Sequence, residues 1–258
     1  MSRIVCQFSC GAASAIATKL AYAQYGDRCE TVNAFVANEC EDNRRFLADA
    51  ESWIGQKFTV LRDTKYGADI NNVFRSVGFL KGPRGASCTT RIKRGLLKAY
   101  EQPGDVLVLG FTAEEQERAD DWREQWGDSR PAIFPLIERG LTKEDCKAMV
   151  LRAGIDLPLQ YRRGYQNANC KVCIKGGEKY MRAARDDFPE EFEEVCKSED
   201  YAASLHGENA RLLRYRSGPL KGQRFALRDL SHDGPRDRAD APPECGVMCE
   251  LAEQEYTA

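Results

Sequence analysis

Ile4–Phe8 is an apolar run that breaks into the small residues Ser9-Cys10-Gly11-Ala12-Ala13-Ser14, and the chain then continues to Tyr25 with helical spacing of its apolar positions. Thr31–Ala37 alternates apolar and small residues as a strand does. Arg44–Gly55 places Phe46, Leu47, Ala50 and Trp53 on one side of a helix, and Lys57–Leu61 reads as a further strand. A helix over Thr90–Tyr100, a strongly apolar strand over Asp105–Gly110 and an extended turn at Ile133–Leu136 follow. A helix opens at Thr142, with Asp145 three residues on as a cap-like partner. Beyond Gly164 the pattern weakens: Glu178–Arg185 and Glu190–Ser198 are helical, Phe188-Pro189-Glu190 is a helix start, and Ser217–Asp240 reads as loop. Alternating β and α elements predict an α/β fold with a doubly wound, mostly parallel sheet. The expected organisation is an α/β domain over residues 1–160 and a C-terminal region over 161–258 that carries cysteines.

The chain has 258 residues, enough for a full core, and a net charge of -2, which excludes a global basic field for nucleic acid and leaves local basic clusters as the anion sites. No window approaches the apolar length of a membrane span, and the N-terminus lacks a secretory pattern, so the expected location is cytoplasmic. There the eleven cysteines would pack, bind metal or react rather than form structural disulfides. Cys6, Cys29, Cys40, Cys146 and Cys196 stand alone and read as packing residues. Cys170-x-x-Cys173 and Cys245-x-x-x-Cys249 are two close pairs far apart in sequence, a spacing that suits a four-thiolate metal site, structural zinc or an iron–sulfur cluster.

In a doubly wound sheet the loop after the first strand lies at the carboxyl edge, where a helix N-terminus offers N–H groups to an anion. Ser9 through Ser14 form such a loop, without the lysine of a Walker-type phosphate loop. This loop resembles a degenerate Ser-Gly-Gly-x-Asp-Ser pyrophosphate loop of the adenine-nucleotide alpha-hydrolase (HUP-type) superfamily, in particular its phosphoadenosine phosphosulfate (PAPS) reductase branch. Further segments are similar in the same order over about the first 190 residues. Ala86-Ser-Cys88-Thr-Thr-Arg91-Ile-Lys93 resembles a Cys-Thr-x-x-x-Lys element, and Gly110 to Glu115 and Arg118 resemble, with one residue fewer before the arginine, a Gly-x-x-x-x-Glu-x-x-x-Arg segment. Pro135-Leu136 followed by Thr142-Lys-Glu-Asp145 resembles the family's Pro-Leu and Thr-x-x-Asp helix. Gly164–Gly177 is similar to its Cys-x-x-Cys element, and Glu244-Cys245-Gly246-Val247 resembles the tail whose cysteine attacks sulfur, with Met248 in place of histidine.

The resemblance implies an adenine nucleotide as substrate, bound by Ser9–Ser14, Asn38, Arg91, Lys93, Gly110, Glu115 and Arg118; Glu39 and Asp42 fall in the same adenosine-binding segment. Cys245 is then the catalytic thiol, with thioredoxin or glutaredoxin as reductant, a [4Fe–4S] cluster on Cys88, Cys170, Cys173 and Cys249, and the homodimer as an assembly open to it. Ala13 stands where ATP-splitting relatives carry aspartate, which favours a sulfonucleotide over ATP. Thr89 follows Cys88 where cluster-binding members have a second cysteine, so one ligand must come from elsewhere. Two other readings stay open: iron–sulfur-dependent sulfur transfer to nucleic acid or a small molecule, and a non-catalytic nucleotide-binding module with structural zinc. Neither His206 nor His232 has the neighbours of a catalytic histidine.

Overall fold

The computed structural model describes residues 2–82, 85–238 and 247–257. Strands β1 (Ile4–Gln7), β2 (Cys29–Ala34) and β3 (Thr59–Leu61) alternate with helices α1 (Ala12–Tyr25) and α2 (Asp42–Ile54). Helix α3 (Ile70–Val77), the short ladder of β4 (Lys81–Gly82) and β5 (Gly85–Ala86), a π-helical turn over Thr89–Arg94 and α4 (Gly95–Tyr100) lead to β6 (Val106–Val108). Then come α5 (Gln116–Trp126), β7 (Ala132–Ile133), α6 (Pro135–Glu138), α7 (Lys143–Arg152) and α8 (Leu159–Arg162). The chain continues through α9 (Glu178–Asp187), α10 (Pro189–His206), the antiparallel pair β8 (Leu213–Arg214) and β9 (Arg224–Phe225), and α11 (Val247–Thr257).

The central sheet is five-stranded and all parallel in the order β3-β2-β1-β6-β7. Successive β1 residues point to opposite faces, and both faces are covered. Ile4, Cys6 and Phe8 pack with Ile16, Leu20, Met149 and Val150 of α1 and α7. Val5 faces Leu107, Ala119 and Phe134 on the other side. A strand buried on both faces must read as nearly continuous apolar sequence, which is what Ile4–Phe8 shows. The strand order reverses between β1 and β6, so the loops after these two strands open together at the carboxyl edge.

A further apolar cluster joins segments distant in sequence: Val36, Phe74 and Ile92 pack with Tyr165, Val172, Met181, Val195 and Leu227. Packing therefore mixes chain from both sides of residue 160, and α11 returns to α1 and α7 through Cys249 and Ala252. The five solitary cysteines at 6, 29, 40, 146 and 196 are all buried and free.

Several local expectations are met. Thr142 caps α7: its Oγ1 accepts the Asp145 N–H at 3.1 Å, while Asp145 Oδ2 accepts the Thr142 N–H at 2.9 Å. Pro189 starts α10. Others differ. The expected helix over Thr90–Tyr100 begins as a π-helical turn, and Ile133–Leu136 is a two-residue strand followed by α6, with Pro135 at its first turn. Within Ser217–Asp240, read as loop, Leu227 and Leu230 are almost fully buried and β9 pairs with β8.

Asp42 joins α2 to the chain entering α8. Its Oδ1 accepts Arg45 Nε at 2.8 Å, its Oδ2 accepts the Leu159 N–H at 2.7 Å, and Arg45 also donates to the Asp156 and Leu157 carbonyls. The Arg45 hydrogen bond, against the opposing effect of burial, holds the carboxyl down at about 2, against an ordinary 3.8. A depressed pKa means stabilisation that is complete above the unfolded value and lost as pH falls through the folded one. Asp42→Asn should cost about 1 kcal/mol at pH 7, allowing for solvent screening. Chemical denaturation from pH 7 to 3 should show the difference between wild type and variant shrinking below about pH 4; a constant difference would contradict the assignment.

Candidate functional site

Two cavities open at the carboxyl edge of the sheet. The smaller, about 330 Å³, lies over the β1–α1 loop, and its lining includes Ser9, Gly11, Ala12, Ala13, Ser14, Gly110 and Lys147. The larger, about 590 Å³, is lined by Cys88, Cys170 and Cys173 together with Lys93, Lys175 and Tyr180. Both volumes lie in the range of small-molecule sites. Six residues line both: Glu115, Arg118, Lys143, Gln166, Asn167 and Asn169. The loop cavity and the thiol cavity are therefore neighbours across one polar wall.

The loop is built to bring backbone close. A Cβ at Gly110 would lie 3.1 Å from Ser14 Cα and N and 3.2 Å from Ala13 C, so a side chain there would push the first turn of α1 away by a few tenths of an ångström. The Ser14 hydroxyl accepts the Ser9 N–H at 3.1 Å and the Gly11 N–H at 3.3 Å and donates to the Gly11 carbonyl at 2.8 Å. It therefore holds the shape of the loop from inside. Cys10 adopts a φ of 58°, unusual for a residue with a Cβ. Its side chain points beneath the loop, not into the cavity: it is fully buried, with Arg44 Nη2 at 3.3 Å and Asn33 Nδ2 at 3.5 Å from Sγ. Burial pushes this thiol up to about 12.

Tyr161 joins the loop without any signal of that role in the sequence pattern. A Cβ at Gly11 would stand 3.1 Å from its hydroxyl, which faces the start of α1. Burial pushes the Tyr161 hydroxyl up to about 12, so it remains a neutral phenol at physiological pH.

Of the other expected residues, Glu115 and Arg118 lie on the shared wall and pair with each other; the Arg118 guanidinium stacks 4.2 Å from the Phe111 ring centroid. Lys93 lines the thiol cavity. Asn38 lines neither cavity: its side chain accepts the Ile70 N–H at 2.8 Å and donates to Asp69 at 3.2 Å, holding the start of α3. Arg91 is exposed and lines neither cavity. Lys143, Lys147, Gln166, Asn167 and Asn169 are wall residues that carry no spacing signal in sequence.

Three of the four expected metal ligands share one cavity. Burial, then the neighbouring Cys173, raises the Cys88 thiol, and burial raises Cys170 well above its ordinary value. Such thiols stay protonated until a cation stabilises the thiolate, and binding a metal would release their protons. Cys249 is not with them. It is buried on α11 within the α1–α7 core, engaged in a disulfide, with its sulfur 3.2 Å from Asp145 Oδ1. Cys245 lies outside the described residues. Among the described residues no group of three or more His, Cys, Asp or Glu side chains is drawn together closely enough to hold a metal ion. The thiol donors of this cavity fit a soft-metal or iron–sulfur group in kind.

Glu39, 5 % exposed, lines neither cavity but ties Lys93 of the thiol cavity to Arg44, which reaches Cys10 under the β1–α1 loop. Oε1 accepts Lys93 Nζ at 2.6 Å; Oε2 accepts Arg44 Nη2 at 3.2 Å and Asn43 Nδ2 at 3.3 Å; its backbone forms a bridge with Cys170. Burial alone would lower Lys93, but Glu39, Cys170 and Cys10 outweigh it and hold the ammonium above its ordinary value. Glu39→Gln should cost about 3 kcal/mol, the lower end for breaking a buried pair, since the Lys93 and Arg44 side chains keep 31% and 30% exposure. Denaturant titration measures this, and a change under about 0.5 kcal/mol, the scale of an unremarkable surface substitution, would contradict it.

No protein-family model matches this chain, and no curated protein matches it either.

Proposed function

We propose that the protein is a PAPS reductase-like enzyme that reduces an adenosine sulfonucleotide with thiols and releases sulfite. The observation that carries this reading is the shared wall between the small-residue loop and the thiol cavity. A nucleotide seated at Ser9–Ser14 can extend its acidic end past Arg118 and Lys143 toward the cysteines. Arg118 provides a planar donor fork suited to phosphate or sulfate, and Lys143 a point charge. Ala13 in place of an aspartate argues for an already activated substrate over ATP.

In this reading the Cys245 thiolate bonds to the sulfonyl sulfur, and the bond from that sulfur to the phosphate oxygen breaks. The electron pair leaves on the nucleotide, and the enzyme retains a thiosulfonate. A thiol of thioredoxin or glutaredoxin then attacks the Cys245 sulfur, expelling sulfite, and the second thiol of the reductant opens the mixed disulfide. The dithiol supplies both electrons that take sulfur from the sulfonyl to the sulfite state. Cys88, Cys170 and Cys173 with a fourth thiol would hold a [4Fe–4S] cluster, which when bound supplies a redox-active centre beside the acidic end of the substrate.

The test is sulfite release by the anaerobically purified full chain from PAPS, and separately from adenosine phosphosulfate, with thioredoxin as reductant. Cys245→Ser should abolish release while nucleotide binding persists. Arg118→Gln should raise KM about tenfold, the scale of a lost charge-assisted hydrogen bond. Sulfite release unchanged in Cys245→Ser, or absent with both nucleotides, would overturn the proposal.

A further inference from the structure

The segment from 209 to 228 holds six basic residues, Arg211, Arg214, Arg216, Lys221, Arg224 and Arg228, and no carboxylate, in a chain whose net charge is -2. Carboxylates of the fold neutralise two of the six. Arg211 pairs with Asp200, Glu199 and Glu208, and Arg228 pairs with Asp200 and Glu193, which fastens both ends of the segment to the α10 region. Among the described residues Arg214, Arg216, Lys221 and Arg224 form no salt bridge.

Between the fastened ends the chain forms the β8–β9 hairpin. Arg214 stands directly opposite Arg224 in the ladder, an arrangement that costs stability because like charges face each other. Burial and the Arg214 charge together lower Arg224, and its Nε is buried without a hydrogen-bond partner among the described residues. Beyond the ladder, the Tyr215 N–H donates to the Gln223 carbonyl at 3.0 Å and the Gly222 N–H donates to the Tyr215 carbonyl at 2.9 Å. These bonds close a tip that exposes Arg216, Leu220 and Lys221. The Tyr215 ring is 37% exposed and backed by Phe225 at 4.6 Å between centroids.

Arg214 and Arg224 share one face of the ladder, Leu213 and Phe225 the other, and Tyr215 packs on the Phe225 face, with Arg216 and Lys221 at the tip between the two. A flexible strand that wraps the tip meets both parts of a surface for single-stranded nucleic acid: cations that track the phosphates, and a solvent-facing ring that stacks a base. We infer that the β8–β9 hairpin binds single-stranded nucleic acid through Arg214, Arg216 and Lys221, with Tyr215 as the stacking platform. An acidic protein segment or an anionic membrane would use the charges but has no base for Tyr215. The inference stands apart from sulfonucleotide reduction and survives if that reading fails.

The test is fluorescence anisotropy of a labelled 20-nucleotide oligo(dT) with the full chain over a series of salt concentrations. Arg214→Gln/Arg216→Gln/Lys221→Gln should weaken binding about a hundredfold at 0.1 M salt and flatten the log–log salt slope by about 2, near 0.7 for each phosphate no longer neutralised. Tyr215→Ala should weaken binding about tenfold without changing the slope, and Tyr215→Phe should retain it. Circular dichroism and thermal melting confirm that each variant is folded. Absence of binding at low salt, equal affinity in the folded triple variant, or equally tight binding of poly-glutamate or phosphatidylserine vesicles that ignores Tyr215→Ala would each overturn the inference.

Discussion

One buried carboxylate holds together the parts that any chemistry here would need. Glu39 follows the second strand and is reached by Lys93 from the turn after Cys88, by Arg44 from α2, and through its backbone by Cys170. Arg44 in turn touches the sulfur of Cys10 under the β1–α1 loop. Withdrawing a carboxylate from water costs several kcal/mol, and that cost is met only with well-placed partners. Glu39 has two cations and an amide. Its position thus fixes the β1–α1 loop relative to the turn and loop that carry the thiols.

The sheet supplies the second constraint. Its order reverses at β1 and β6, and Gly110 lets the end of β6 rest on the first turn of α1. These two features open the small-residue loop and the Glu115–Arg118 segment toward the same space. The thiol cavity joins that space because Gln166, Asn167 and Asn169 belong to both walls. Among the described residues no helix is long and apolar enough to cross a membrane.

Much of the sheet was legible because a strand buried on both faces leaves an unbroken apolar run, and because Thr142 and Pro189 are strong local start signals. The hairpin was not legible: each strand has two residues, and its charge and glycine content read as loop. Helix α3 also escaped: it has only eight residues, and beside the local cap from Asp69 to the Asn71 N–H it draws a second one, to the Ile70 N–H, from the distant Asn38. In the site, cysteine spacing pointed to Cys170 and Cys173, while Tyr161, Lys143 and the asparagines of the shared wall have no periodicity to betray them. Cys249 looked equivalent to the other thiols by spacing, yet α11 carries it into the α1–α7 core. Only tertiary packing separates the two cases.

The proposed function needs the loop cavity and the thiol cavity to act as one substrate site. Its most direct measurement is the rate at which iodoacetamide labels Cys88, Cys170 and Cys173 in the metal-free chain, followed by peptide mass spectrometry, with and without saturating adenosine 3′,5′-bisphosphate. A continuous site predicts slower labelling of these three thiols with nucleotide, while the buried cysteines at 6, 29 and 146 stay unlabelled in both conditions. Tight nucleotide binding that leaves all three rates unchanged would contradict it.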